Sequence, residues 1–119
     1  MNRGLAALAL AAAMLAPAAH AQVLMTRRCQ TVWQGQPVVG VMQVERLPYA
    51  DTHRVYGQFR DPQNTLIEFE IMTNQYQGVG GMWFNNARHR EIHIHWQMMP
   101  DGGFVITGEG GASARYVCR

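Results

Sequence analysis

The chain has 119 residues, with ten arginines and no lysine set against eight acids, for a formal charge of +2 at pH 7. A balance so near neutral excludes the electrostatic footprint of a nucleic-acid binder or of a protein held on an anionic membrane. The length allows one small domain.

Met1–Ala21 reads as a secretory signal peptide. Asn2-Arg3 is a short positive start, Leu5–Leu15 is an unbroken run of Leu, Ala and Met, and Ala19-His20-Ala21 offers a small-x-small cleavage pattern. The apolar run is too short to span a bilayer, which takes about 20 residues. Cleavage after Ala21 leaves residues 22–119 as a single domain with formal charge +1. Cys29 lies eight residues beyond that point, so no lipid anchor is expected. The expected location is periplasmic or secreted.

Turn-forming clusters then recur about every 12 residues, the rhythm of an all-β domain. They are Gly35-Gln36-Pro37, 48–51, Asp61-Pro62-Gln63-Asn64, 74–78, Asn85-Asn86, 100–103 and 108–111. Proline presets φ at such places, while glycine and asparagine tolerate φ > 0. Between them the expected strands run near 23–33, 38–47, 53–60, 65–73, 79–84, 89–98, 104–108 and 112–118. Ile67, Phe69 and Ile71 alternate with Glu68 and Glu70, and Ile92, Ile94, Trp96 and Met98 alternate with Glu91, His93, His95 and Gln97. A period of two marks strands with one buried and one wet face.

Cys29 and Cys118 are the only cysteines, and export favours their pairing. Their Cα atoms must then approach within about 7 Å. The first and last strands of an open meander are opposite edges, too far apart to bridge. Closure makes them antiparallel neighbours and removes the edges. The expectation is therefore an eight-stranded antiparallel meander barrel, with a two-sheet β-sandwich as the alternative. Such a barrel is packed with side chains or holds one small ligand.

Candidate chemistry is sparse. His93 and His95 share one strand face, with His89 and Glu91 expected in the same row, and paired imidazoles at this spacing suit Zn or Cu. Glu91, Glu68 or Glu70 would complete such a site, and thioethers of Met82, Met98 or Met99 would favour Cu(I). The competing reading is a solvated strand face, which is also the reading for Glu68 and Glu70. Arg28, Arg115 and Arg119 form a second candidate, a patch for an anion or an acidic partner. Ser113 is the only serine and lacks a nucleophile elbow, so a hydrolase is a minor alternative. The glycine clusters lack the lysine and helix of a phosphate loop. Tryptophans Trp33, Trp83 and Trp96 are assigned to the core by default.

An exported eight-stranded meander resembles lipocalins, avidin-like barrels and small periplasmic lysozyme inhibitors in architecture. The motifs diverge from them. Trp33-Gln34-Gly35 reverses the Gly-x-Trp of lipocalins, and Ser113-Ala114-Arg115-Tyr116, similar to a lysozyme-inhibitor loop, falls inside the last expected strand. The analogy implies architecture alone. The functional expectation is non-enzymatic binding of a small apolar ligand or of a protein partner. Binding of Zn or Cu through His93 and His95 is the alternative.

Overall fold

The computed structural model describes residues 22–48, 52–74 and 76–119. The expected signal peptide, the centre of the turn at 48–51 and residue 75 lie outside the described residues.

Eight strands follow in chain order: β1 (Gln22–Trp33), β2 (Gln36–Arg46), β3 (His53–Arg60), β4 (Leu66–Thr73), β5 (Gln77–Phe84), β6 (Ile92–Met98), β7 (Phe104–Gly108) and β8 (Ser113–Cys118). Each pairs with the next, and β8 returns to β1, giving a closed antiparallel meander barrel rather than a sandwich. The seam is short. Its register holds only Cys29 opposite Cys118 and Gln30 opposite Val117. The disulfide crosses it directly, with 4.0 Å between Cα atoms. The Arg119 N–H donates to the Arg28 carbonyl at 2.8 Å, and the Thr31 hydroxyl donates to the Arg115 carbonyl at 2.6 Å.

Two expected boundaries move. The first hairpin turns at Gln34 and Gly35, both at positive φ, rather than at Gly35-Gln36-Pro37. This is the two-residue geometry whose twist matches the flanking strands. Pro37 then sits inside β2, before that strand gains β3 as a second partner at Val39. A missing N–H costs least there. The second shift is in β6, which begins at Ile92 rather than 89. Arg88–Arg90 form a short 3-10 turn instead. Asn85 and Asn86, both at positive φ, curl the chain out of β5, so His89 never joins the row of His93 and His95.

Inward positions carry Val38, Met42, Val55, Phe59, Phe69, Ile71, Met82, Ile94, Trp96, Phe104, Ile106 and Tyr116. Outward positions of β3 and β6 carry Arg54, Tyr56, Gln58, Arg60, His93, His95 and Gln97. Elsewhere the outward face is mixed, with Val39, Val41, Met72, Val79 and Val117 exposed on it. The middle of the barrel is filled by an aromatic belt. Tyr116 stacks on Phe104 at 4.5 Å and meets Phe59 edge-on at 5.2 Å, while Phe69 and Trp96 approach Phe104 at 5.8 and 5.9 Å. Such contacts add about 0.5–1.5 kcal/mol each beyond the area they bury. Gly57 makes the belt fit, since a Cβ there would lie 2.1 Å from the Phe69 ring.

Candidate functional site

The belt stops short of one end of the barrel, where the hairpins β1–β2, β3–β4, β5–β6 and β7–β8 gather. Inward positions beyond the belt carry smaller side chains, among them Val38, Ile94, Ile106 and Ala114, so the wall is not filled across. A cavity of about 340 Å³ remains there, with Tyr116 on the belt side and Trp33, Phe84 and Ile92 around the rim. These three sit at inward-facing strand ends yet remain 40–42% exposed. Trp33, assigned to the core by composition, belongs to this rim. The Gly108–Gly111 turn lines the opening with almost no side-chain bulk; a Cβ at Gly110 would meet nothing within 4 Å.

The lining is nearly uncharged. Glu109 is its only carboxylate among the described residues, and it accepts the His93 backbone N–H at 2.7 Å. No arginine or histidine side chain lines the space. Tyr116 is 5% exposed, and burial pushes its pKa up to about 12. The volume sits at the small end of ligand pockets, which span about 300–1,000 Å³.

A second concentration of polar chemistry lies on the outer wall of β2–β5, and it corrects the reading of Glu68 and Glu70 as a plain wet face. Glu68 is 7% exposed although it points outward. The Tyr56 hydroxyl donates to one of its oxygens, and Trp83 Nε1 donates to the other at 3.2 Å. Glu70 accepts from Arg54 at 2.7 Å and from Arg88 at 2.5 Å, and Arg54 also reaches Glu45 at 3.1 Å. Arg88 lies 4.4 Å from the centre of the Trp83 ring, which places that tryptophan in the wall rather than the core. Burial pushes Glu70 up, but the hydrogen bonds from Arg88 and Arg54 outweigh it and hold the carboxyl below its ordinary value. Burial and the hydrogen bond to Glu68 push the Tyr56 hydroxyl up to about 12. All four oxygens of Glu68 and Glu70 are taken by donors, which makes the pair a fixture of the wall. The sequence signal was present in Arg54-x-Tyr56 on β3, whose side chains reach the two acids diagonally across the ladder.

The histidine site is only partly assembled. His93 and His95 point outward from β6 and are exposed, sharing a hollow of about 470 Å³ with Glu91, Glu70 and Arg88. Glu91 arrives from the end of the 3-10 turn rather than along the strand, and its carboxylate lies over Gly81, where a Cβ would come within 2.3 Å. Met82 and Met98 face the barrel interior, on the opposite side of the wall from the imidazoles. Among the described residues no group of three or more His, Cys, Asp and Glu side chains is placed to hold a metal ion.

The arginine patch is divided. Arg28 and Arg119 meet across the seam as neighbouring backbone partners, whereas Arg115 binds Asp101 at 2.6 Å. The Asp101 carboxyl is held below its ordinary value by the Gly103 backbone N–H and by Arg115. No family model matches this chain, and no curated protein or solved structure matches it.

Proposed function

We propose that this protein is a non-enzymatic binding protein, working outside the cytoplasm, that holds a small apolar ligand in the open end of its barrel. The observation that carries this reading is the cavity of about 340 Å³ beneath the exposed rim of Trp33, Phe84 and Ile92. Exposed apolar side chains around a concave apolar space are what a ligand would bury on entry, at about 25 cal/mol per Å². A disulfide between Cys29 and Cys118 is compatible with an oxidising, extracellular location. The periplasm, reached by cleavage after Ala21, is the compartment that fits the leader-like N-terminus.

Native mass spectrometry of the exported protein tests the reading. The expected spectrum shows an organic adduct, or uptake of added nonane with 1:1 stoichiometry. A bare mass that takes up no hydrocarbon overturns it, and a co-purifying protein would move the function to the rim. The same spectrum bears on the second reading, Zn or Cu held by His93 and His95 with Glu91, for which the shared hollow is the supporting observation. That reading expects a metal mass that disappears in the His93→Ala/His95→Ala variant.

A further inference from the structure

Three polar side chains line the cavity: Thr31, Glu109 and Tyr116. Thr31 lines it, but its hydroxyl proton is spent on the Arg115 carbonyl at 2.6 Å. Glu109 sits in the turn at the opening, already engaged by the His93 N–H. Tyr116 differs from both. Its ring is fixed in the belt by Phe104 and Phe59, the side chain is 5% exposed, and it lines the cavity. Among the described residues its hydroxyl makes no hydrogen bond, and its oxygen keeps some accessible surface. A donor left open on an otherwise apolar cavity wall marks a place where an acceptor is welcome.

The charge pattern narrows what that acceptor is. A carboxylate brought inside would lose its hydration, with no arginine or histidine side chain in the lining to replace it. It would also pass Glu109 at the opening. A neutral oxygen meets neither obstacle. A cavity of about 340 Å³ has the volume of roughly eleven waters at ~30 Å³ each. That suits a ligand of about ten non-hydrogen atoms.

Building on the binding reading above, we infer that the ligand is a small neutral molecule, an apolar chain or ring bearing one carbonyl-type oxygen, which the Tyr116 hydroxyl anchors at the inner end of the cavity. The apolar body then lies along Ile94, Ile106 and Met82, with its far end at the Trp33 and Phe84 rim. Polarity is read at one point, and size is set by the belt.

A matched series of probes tests this by titration calorimetry: nonane, 2-nonanone and nonanoate at neutral pH, against the native protein and Tyr116→Phe. The native protein is expected to bind 2-nonanone about three- to tenfold more tightly than nonane, the fold-change of one net hydrogen bond. Nonanoate is expected to bind more weakly than either. Tyr116→Phe should keep nonane affinity and lose the ketone preference. A native protein without the preference, a preference that survives in Tyr116→Phe, or nonanoate binding best would each overturn the anchor while leaving cavity binding intact. Should none of the three bind, the binding reading falls as well. Should Tyr116→Phe fail to fold, the native order alone decides, with Ala114→Leu as a filled-cavity control expected to weaken nonane and 2-nonanone together.

Discussion

The two ends of the barrel are made by the same eight strands and hold different contents. At the end shared by the β1–β2, β3–β4, β5–β6 and β7–β8 hairpins, the cavity is about 340 Å³, apolar, and rimmed by exposed Trp33, Phe84 and Ile92. At the other end a smaller space of about 200 Å³ lies among His53, Thr73, Trp96 and Met98. His53 and Thr73 are buried there, Thr73 donating to the Gln77 carbonyl at 2.7 Å. Trp96 Nε1 is buried without a hydrogen-bond partner among the described residues. The difference teaches that closure alone does not make a binding site. What separates the ends is where the aromatic belt stops and which side chains remain beyond it.

Opening the seam is the most severe way to erase that distinction. Cys29→Ala/Cys118→Ala removes a cross-link spanning 89 residues of sequence. The chain-entropy model values it at roughly 4–5 kcal/mol, and a seam with two register pairs has little to replace it. Urea denaturation should show that loss, together with loss of ligand uptake. Next in size is removal of the belt between the ends. Phe104 touches Tyr116 on one side and Trp96 on the other, so Phe104→Ala should cost about 3–5 kcal/mol and join the two spaces. An unchanged denaturation midpoint would show that the belt is not what divides them.

Overpacking probes the same belt from the opposite direction. Gly57→Ala places a methyl against the Phe69 ring and is expected to cost about 1–3 kcal/mol, read from the same denaturation curves. The rim should behave differently. Phe84→Ala at a 41% exposed position is expected to change stability by less than about 1 kcal/mol, yet to weaken nonane uptake in the calorimeter. Equal weakening by Met98→Ala at the far end would show that the two ends do not differ in function.

The smallest effects are expected in pH. Tyr116 is raised from 10.0 to about 12, so its hydroxyl ionises later in the folded chain than in the unfolded one. Stability from this group is fully present below about pH 10 and drains away as pH rises towards 12, and Tyr116→Phe should flatten that alkaline slope. Glu70 on the wall has the opposite sign. Its lowered value means stability present above about pH 4.5 and lost as pH falls through the folded value. Glu70→Gln should therefore reduce the acid slope of the denaturation midpoint while leaving cavity binding unchanged.

Much of the architecture was legible because it depends on local period and on one covalent constraint. The alternation in β4 and β6 named both faces, and Cys29 near one end of the domain with Cys118 at the other favoured a closed barrel over a sandwich. The start of β6 was harder to read, because Arg88–Arg90 alternate plausibly while the paired positive-φ asparagines before them turn the chain away. The burial of Glu68 was not legible. It depends on Tyr56 and Trp83, which reach it only once β3 and β5 flank β4. The cavity was foreseen as a class of feature, but its place was not.

By itself the sequence indicated the strand count, the two faces of β4 and β6 and the cysteine pairing, because periods of two and a loop constraint act through nearest neighbours along the chain. Barrel rather than sandwich was decided by the tertiary structure. Tertiary structure alone decided which aromatics plug the barrel and which rim it, and that Tyr116 lines the cavity. Those outcomes depend on side-chain volumes summed across strands distant in sequence, a quantity with no local signature.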